Sequence, residues 1–299
     1  MKIALTIAGS DSCGGAGIQA DLKTFQAFGV YGTSVIVAVT AQNTVGVRAA
    51  EGVSQTLVRA QLEALADDLP PAALKTGMLF STELVDTVAE AIEHHRWQPY
   101  VLDPVMIATS GDRLLSPGAE SAVRRKLLPL ATLVTPNLHE ASLLTGLSVT
   151  TPTEMEIAGL ALLEAGAEAA LITGGHLAGS ELVDVLVTPN GTTSYRHSRI
   201  ESLATHGTGC TLSAGITACL ARGASLTEAV TVPTSRPLAT SQCSRAEACP
   251  DCHASSTSSR TSRPFLRKSS SATALGAPDP GRTTTTRAIG SMPLGKSPR

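Results

Sequence analysis

The stretch IALTIAGSDSCGGAGIQADLK, residues 3–23, decides the fold class. The apolar run Ile3–Ala8 predicts a buried strand, the glycine-rich residues 9–17 predict a loop, and the residues that follow predict a helix. A strand, a loop and a helix in this order form the first βα unit of an α/β fold. The glycine spacing is neither that of a dinucleotide-binding loop nor that of a Walker A loop, so both classes are disfavoured.

A second glycine-rich segment, Thr205–Thr211, precedes residues 212–220, which predict a helix of small and apolar residues. Gly207 and Gly209 permit a positive φ and a close approach of the backbone to a ligand. The first N–H groups of the helix and the positive end of its dipole face one point, which indicates a phosphate site. Cys210 lies at this helix start, where we expect a lowered thiol pKa. A tight turn with a structural cysteine is the alternative, and the first glycine-rich segment favours the ligand site.

Apolar runs alternate with amphipathic segments as far as Val230, at the spacing of repeated βα units. This pattern predicts a single α/β domain over residues 1–230. Examples are predicted strands at Thr33–Val39, Ala131–Val134 and Ala169–Ile172 and a predicted helix at Gln55–Asp67.

The composition indicates a soluble enzyme. Hydrophobic residues make up 42% of the chain and the formal net charge is −2, so neither nucleic acid nor an anionic membrane is an expected partner. No apolar stretch reaches the ~20 residues that a membrane span needs. A predicted strand begins at Ile3, so we expect no signal peptide. Six irregularly spaced cysteines suit a reducing compartment, and the expected location is the cytoplasm.

Residues 231–299 differ sharply from the rest of the chain. They contain 13 serines, one phenylalanine, and 10 Lys or Arg against 3 Asp or Glu, which gives a net charge of +7. Burial of so few large apolar residues cannot offset the conformational entropy that the segment would lose on folding. We therefore expect residues 231–299 to be disordered. Either a shifted reading frame or a natural basic tail accounts for the change.

The segment CPDCH at residues 249–253 matches half of a zinc or haem pattern, but no second Cys/His pair completes four ligands, and we expect no metal role for it.

Short motifs recur in a fixed order through the first 230 residues. They are AGSD at 8–11, GGAGIQADLKTF at 14–25, TAQNT at 40–44, KTGML at 75–79, LDPVM at 102–106, SGD at 110–112, TPNLHEA at 135–141, GGH at 174–176 and THGTGCTL at 205–212. Together they resemble the hydroxymethylpyrimidine and phosphomethylpyrimidine kinases of thiamine biosynthesis, which are ribokinase-like. The resemblance implies a three-layer α/β/α domain with a mainly parallel sheet, and a homodimer. Family members continue with further helices, which residues 231–299 do not match.

This resemblance implies transfer of phosphate from ATP to 4-amino-5-hydroxymethyl-2-methylpyrimidine and then to its monophosphate, with Mg²⁺ as cofactor. Gly207, Gly209 and the Cys210 N–H are expected to stabilise the charge on the transferred phosphoryl group. Cys210 also stands where most ribokinase-like enzymes carry an aspartate base. A cysteine can take that role only if its pKa is lowered.

The resemblance also assigns nucleotide and metal residues. Asn137, Thr173, Thr205 and Thr208 are expected to bind the nucleotide phosphates, although Thr173 replaces a lysine found in many relatives. Glu140 and Asp103 are expected to hold Mg²⁺ through water. Helix capping is the alternative role for Glu140, and a structural role is expected for His176.

The acceptor pocket that the resemblance implies contains Asp21, Gln42, Met78 and Val105. Gln42 is expected to pair with the aminopyrimidine edge, because a side-chain amide offers both a donor and an acceptor. Met78 and Val105 are alternatively core residues, and Asp21 is alternatively a carboxylate on a helix face.

Two other functions remain open at this point. A pyridoxal kinase of the same superfamily would use the same phosphate site with a different acceptor, and Gln42 and Cys210 favour the pyrimidine. A non-catalytic vitamer-binding protein, impaired by the altered C-terminal residues, would bind the pyrimidine without releasing ADP.

Overall fold

The computed structural model describes residues 1–106, 115, 116, 118–175, 177, 181–198 and 206–235. Within these residues nine strands form one sheet. The strands are β1 (Ile3–Asp11), β2 (Tyr31–Gln42), β3 (Val47–Gly52), β4 (Ala73–Thr76), β5 (Tyr100–Leu102), β6 (Leu133–Val134), β7 (Ala170–Ile172), β8 (Glu181–Thr188) and β9 (Gly191–Ser198). Their order across the sheet is β3-β2-β1-β4-β5-β6-β7-β8-β9.

The centre of the sheet is parallel and its margins are antiparallel. Strands β2, β1, β4, β5, β6 and β7 run in one direction. Strand β3 pairs antiparallel with β2, and β8 and β9 form an antiparallel ribbon beyond β7. The predicted α/β fold with a mainly parallel sheet is therefore confirmed.

Eight α-helices in the described residues complete the domain. They are α1 (Gly17–Ala27), α2 (Gln55–Asp68), α3 (Thr82–His95), α4 (Ala119–Ala122), α5 (Leu138–Thr145), α6 (Pro152–Glu164), α7 (Thr208–Ala221) and α8 (Leu226–Ser235). A π-helical turn at Val123–Leu127 and a 3-10 turn at Leu128–Leu130 follow α4.

Two separate apolar clusters show that helices cover both faces of the sheet. One cluster joins the sheet to α2 through α6, and Val58 and Leu62 of α2 are fully buried in it. The other joins the sheet to α1, α7 and α8, with Phe25 and Ile216 fully buried. Leu5, Ile7 and the other central positions of β1 are buried whichever face they point to. This explains the continuous apolar run at Ile3–Ala8, because a central parallel strand has no solvent-facing side.

The predicted elements are present, with shifted ends. Strand β1 extends three residues beyond the predicted Ile3–Ala8, and β2 extends beyond Thr33–Val39 because β3 pairs with its final residues as far as Gln42. The predicted helix at Gln55–Asp67 runs to Asp68.

The regular structure also continues past Val230, where the sequence pattern predicted its end. Helix α8 extends to Ser235, and a Cβ at Gly215 of α7 would touch the Pro233 ring.

Residues 236–299 lie outside the described residues, so their disorder stays a prediction. The SGD motif at 110–112, His176 and Thr205 also lie outside them. Among the described helices, none has the length and apolar character needed to cross a membrane.

Candidate active site

The carboxyl ends of the parallel strands bring the predicted site residues to one edge of the sheet. Asp11 and Gln42 end β1 and β2, Asp103 follows β5, and Asn137 follows β6. Thr173 follows β7 and forms a parallel bridge with Asn137. Open α/β sheets place their ligands at this edge, outside the carboxyl ends of the strands.

One pocket at this edge contains every residue predicted to contact the acceptor. The predicted residues that line it are Asp21, Gln42, Met78, Val105 and Cys210. Asp11 and Lys75 line the same pocket, and the sequence predicts a role for neither of them. Met78 and Val105 also pack against the apolar core, so their alternative role as core residues is confirmed, and their contact with the acceptor stays a prediction.

The two glycine-rich segments are in direct contact. Gly207 has a φ of +79°, and a Cβ at this position would overlap the carbonyl oxygen of Gly15. Gly17, with a φ of +57°, similarly faces the carbonyl oxygen of Gly9. Only glycine tolerates such an approach in this backbone conformation. Gly209 differs, because a Cβ there would meet no atom within 4 Å, which leaves space in front of the first turn of α7.

The first glycine-rich loop closes around the Asp11 carboxylate. Its oxygens accept hydrogen bonds from the N–H groups of Cys13, Gly15 and Ala16 at 2.9–3.0 Å, and His206 Nε2 lies 3.0 Å from Oδ2. Burial acts to raise the pKa of Asp11, but these hydrogen bonds outweigh it and lower the pKa to about 2. The loop therefore directs these N–H groups to its own carboxylate, and the second glycine-rich segment remains the candidate phosphate site.

The lowered pKa of Asp11 predicts a pH-dependent contribution to stability. Because the folded state favours the ionised carboxylate, the contribution is present above the ordinary pKa of 3.8 and is lost as the pH falls to about 2. Asp11→Asn should lower the unfolding free energy by about 2 kcal/mol at pH 7. Urea unfolding across pH 2–7 measures the difference, and Asp67→Asn, at an exposed position of α2, is the control. A deficit that does not shrink with falling pH would contradict the assignment.

A buried lysine connects α1, β5 and α7 beneath the pocket. Lys75 Nζ lies 2.9 Å from Asp21 Oδ1 and 3.3 Å from Asp103 Oδ2, and all three side chains are almost completely buried. The same ammonium lies 3.5 Å from the Cys210 carbonyl oxygen. Burial opposes the charge on Lys75, but the two carboxylates outweigh it and raise its pKa. Lys75 therefore remains a cation between two carboxylates.

Further hydrogen bonds extend this network to both sides. Thr6 Oγ1 donates to Asp21 at 2.6 Å, and Ser213 Oγ of α7 donates to Asp103 at 2.9 Å. Asp21 is thus a member of a buried ion pair as well as a pocket residue. It is not a solvated carboxylate on a helix face.

The expectation of a lowered pKa for Cys210 is wrong. Burial raises the pKa of the thiol to about 12, and the negative charge of Asp103 adds to the rise. Lys75 and the N–H of Gly17, which donates to the thiol, offset it only in part. The position of Cys210 at the start of α7 does not lead to a lowered pKa, because burial, and after it the charges of Asp103 and Asp21, favours the neutral thiol. In this structure Cys210 is a neutral thiol at pH 7.

Glu140 caps helix α5. Helix capping is the role that the sequence predicts for Glu140 as the alternative to holding Mg²⁺. The Asn137 side chain accepts from the Glu140 N–H at 3.0 Å, and the Glu140 carboxylate accepts from the Asn137 N–H at 3.0 Å. Burial, and after it the charge of Asp103, raises the pKa of Glu140 to about 8, although the N–H groups of Asn137 and Met106 oppose the rise. Glu140 and Asp103 therefore interact electrostatically.

The three predicted phosphate-binding residues that the structure describes lie at two places. Asn137 and Thr173 are joined by the bridge between their strand ends, where the Thr173 N–H donates to the Pro136 carbonyl at 2.9 Å. Thr208 opens α7, whose first internal hydrogen bond runs from the Thr211 N–H to the Gly207 carbonyl. The N–H groups of Thr208, Gly209 and Cys210 precede that bond and point out of the helix start.

Buried carboxylates, a lysine and a glycine-started helix around one pocket suit a phosphotransferase acting on a small molecule. The family model described as phosphomethylpyrimidine kinase matches residues 11–235. A Rhizobium meliloti protein named hydroxymethylpyrimidine/phosphomethylpyrimidine kinase is 52% identical over 229 residues, which cover 76% of this chain and 86% of that protein. The chain thus belongs to the phosphomethylpyrimidine kinase family.

Solved structures show the same fold. The phosphomethylpyrimidine kinase from Clostridium difficile is 44% identical, with a TM-score of 0.71 over 79% of this chain and 97% of that one. The Bacillus subtilis pyridoxal kinase, solved as an ADP complex, is 39% identical, with a TM-score of 0.73 over 79% of this chain and 89% of that one. The resemblance to a hydroxymethylpyrimidine and phosphomethylpyrimidine kinase is therefore confirmed, and the chain is an enzyme of the kinase class.

Three residues of the site were missed by sequence reasoning. Lys75 carries a signal, because it is a charged residue inside an otherwise apolar strand and must be paired if buried. Asp11 follows a strand and opens a glycine-rich loop, where a carboxylate can accept the loop N–H groups. His206 carries no comparable signal, because its contact with Asp11 spans 195 positions.

Proposed function

We propose that this chain transfers the γ-phosphoryl group of ATP to 4-amino-5-hydroxymethyl-2-methylpyrimidine and then to the resulting monophosphate. The main support for this proposal is a single pocket beside the start of α7, which is lined by Asp21, Gln42, Met78, Val105 and Cys210. The family assignment supports the same reaction. Nucleotide use is supported by the ADP complex of the related pyridoxal kinase.

Gln42 is the residue that we expect to select the acceptor. Its backbone is fixed by two hydrogen bonds with Ser12 Oγ at 2.7 and 2.8 Å, and its Nε2 lies 3.1 Å from His206 Nε2. These contacts hold the amide at the pocket wall. An aminopyrimidine presents an alternating donor and acceptor edge, which an amide can match with its own donor and acceptor.

Asp103 and Glu140 are the residues that would hold Mg²⁺. The raised pKa of Glu140, caused by burial and by Asp103, marks a place where a nearby cation would favour the ionised carboxylates. Lys75 balances one charge of the Asp21 and Asp103 pair, so negative charge remains in excess. These residues therefore fit a hard divalent cation with oxygen ligands. Mg²⁺ would supply charge neutralisation on the nucleotide phosphates.

The protein's own contribution is to orient the groups and stabilise the transferred charge. The N–H groups of Gly209 and Cys210 at the start of α7 would donate to the oxygens of the phosphoryl group, on which charge develops. The transition state of phosphoryl transfer is loose, so little deprotonation of the acceptor is needed. Cys210, a neutral thiol, then shapes the pocket and does not act as the base.

An ADP-release assay on the full chain tests the proposed function. ATP and Mg²⁺ are supplied with the pyrimidine alcohol, with its monophosphate, or with pyridoxal. The expected result is ADP release with the first two acceptors, at a higher kcat/KM than with pyridoxal. A preference for pyridoxal would assign the chain to that activity instead, and pyrimidine binding without ADP release would mean a non-catalytic vitamer-binding protein.

Gln42→Leu should weaken binding of the pyrimidine alcohol by ~1–3 kcal/mol, because the ligand's polar edge would be buried without a partner. Calorimetric titration of the variant and of the parent chain measures this difference. Gln61→Leu is the control. Gln61 lies on α2, where its side chain forms hydrogen bonds with the Ile36 backbone of β2, and it does not line the pocket. Equal pyrimidine affinities for parent and Gln42→Leu would remove Gln42 from the acceptor site.

Cys210→Ala should reduce turnover of the alcohol and of the phosphate acceptor by similar, modest factors. The reason is that a neutral thiol contributes to pocket shape in both steps, whereas a general base would be worth ~10²–10⁴-fold in the first step alone. Single-turnover rates with each acceptor measure the ratio. A loss confined to the alcohol would restore the base role for Cys210.

We further propose that the chain acts as a homodimer in the cytoplasm, as the family resemblance implies. The cytoplasm supplies the ATP and Mg²⁺ that the reaction requires. Light scattering after size-exclusion chromatography would give twice the mass of the 30.6 kDa chain; a monomeric mass would refute the dimer.

A further inference from the structure

Three side chains with metal-binding atoms meet where the two glycine-rich segments touch. Asp11, Cys13 and His206 each offer one ligand atom, and these atoms all lie within 4.8 Å of one another. Asp11 Oδ2 is 3.4 Å from Cys13 Sγ and 3.0 Å from His206 Nε2. Asp11 is buried, whereas Cys13 and His206 are partly exposed, so an ion can reach the cluster from solvent.

Two of the three separations between the ligand atoms are close to those around a tetrahedral zinc ion. Bonds of ~2.0 Å to oxygen and nitrogen and ~2.3 Å to sulfur place an oxygen and a nitrogen ligand roughly 3.3 Å apart, and an oxygen and a sulfur ligand roughly 3.5 Å apart. The observed distances of 3.0 and 3.4 Å need only small adjustments. A carboxylate, a thiolate and an imidazole also form a donor set that favours Zn²⁺ over Mg²⁺.

The surroundings of the cluster hold its ligands in place. The Gly15 and Ala16 N–H groups donate to the same Asp11 oxygen at 3.0 and 2.9 Å, as supporting hydrogen bonds around metal ligands commonly do. His206 Nε2 has both Asp11 Oδ2 and Gln42 Nε2 near it, at 3.0 and 3.1 Å. One ring nitrogen cannot donate to the first and accept from the second at the same time. If this nitrogen is unprotonated, its lone pair faces the Asp11 carboxylate, and a cation bound by both atoms replaces that repulsion with two metal–ligand bonds.

We infer that Asp11, Cys13 and His206 form a three-ligand Zn²⁺ site that joins the two glycine-rich segments and inhibits the enzyme when occupied. On binding, the Cys13 thiol loses its proton to solvent and the thiolate bonds to the ion. The fourth position is left for water, as at other three-ligand zinc sites. Because Asp11 and Gln42 line the acceptor pocket, an ion held against them obstructs the acceptor. The inhibition rests on the proposed function, whereas the metal binding does not.

Cobalt(II) replaces Zn²⁺ as a spectroscopic probe in the test of metal binding. The full chain is used with Cys243, Cys249 and Cys252 changed to serine, so that the CPDCH segment cannot contribute. We expect one equivalent of Co²⁺ to give thiolate-to-cobalt charge-transfer absorption, which added Zn²⁺ abolishes. Cys13→Ser should remove the absorption and weaken Zn²⁺ binding beyond the ~10–100-fold that loss of a supporting hydrogen bond costs. Cys210→Ser, the matched control at another thiol near the pocket, should leave both unchanged.

The proposed site would be refuted if Co²⁺ gave no charge-transfer absorption in the triple-serine chain. It would also be refuted if the absorption persisted after Cys13→Ser and after Cys13→Ala. The inhibition is tested separately by ADP release with the pyrimidine alcohol in excess MgATP. Zn²⁺ should raise the KM for the pyrimidine in the parent chain, and Cys13→Ser should remove this effect while keeping the metal-free rate. Equal Zn²⁺ inhibition of parent and variant would overturn the inhibitory role, even where the cobalt titration shows the site.

Discussion

Lys75→Met is expected to lower the free energy of unfolding by about 3–5 kcal/mol, the usual cost of removing one partner of a buried ion pair. The Lys75, Asp21 and Asp103 side chains are at most 5% exposed. Without the ammonium, two carboxylates remain buried beside each other, and among the residues that the structure describes only Thr6 and Ser213 still donate to them. Chemical denaturation at pH 7 measures the loss. Activity should fall as well, because Lys75 also contacts the Cys210 carbonyl at the start of α7.

The control is an ion pair of the same length on the surface. Arg59 and Glu90 also lie 2.9 Å apart, but their side chains are 48% and 59% exposed. Arg59→Met should therefore change the unfolding free energy by no more than ~1 kcal/mol. Adding Asp21→Asn to Lys75→Met should recover part of the loss, because it removes one of the unpaired charges. Similar losses for Lys75→Met and Arg59→Met would show that burial does not set the strength of the network.

Gly207→Ala is expected to reduce kcat/KM by about 10²-fold or more and to destabilise the chain. The φ of +79° disfavours any residue with a Cβ by ~1–2 kcal/mol, and the added atom would overlap the Gly15 carbonyl oxygen. The two glycine-rich segments must then separate, which moves the start of α7 away from the pocket. A displacement of about 1 Å in a positioning element can cost about 10²-fold in rate. Steady-state kinetics with the pyrimidine alcohol and thermal unfolding measure the two effects.

Gly209→Ala is the matched control, two residues away in the same motif. A Cβ at Gly209 would meet no atom within 4 Å, and alanine is a better helix former than glycine. The melting temperature of the ligand-free chain should therefore not fall for Gly209→Ala, while it falls for Gly207→Ala. Equal melting temperatures for the two variants would show that the contact between Gly207 and Gly15 does not stabilise the fold.

The sequence by itself determined the fold class and most of its elements. The buried strand before the first glycine-rich loop, the helix at Gln55–Asp68 and the helix after Gly207 all follow from local periodicity and glycine placement. Because parallel strands end at one edge, the motif order also predicted which residues gather there. The local pattern could not predict that α8 continues to Ser235, because packing against α7 contributes to the end of that helix.

Only the tertiary structure decided how the charged groups of the site are paired. Lys75 lies between Asp21 and Asp103, and these three residues come from three separate segments of the chain. His206 contacts Asp11 across 195 positions of the sequence. The pKa of Cys210 illustrates the reason. The sequence shows a thiol at a helix start, which predicts a lowered pKa, but burial and Asp103 raise it to about 12. Local sequence specifies the helix, whereas long-range packing specifies which charges face it and how little water surrounds them.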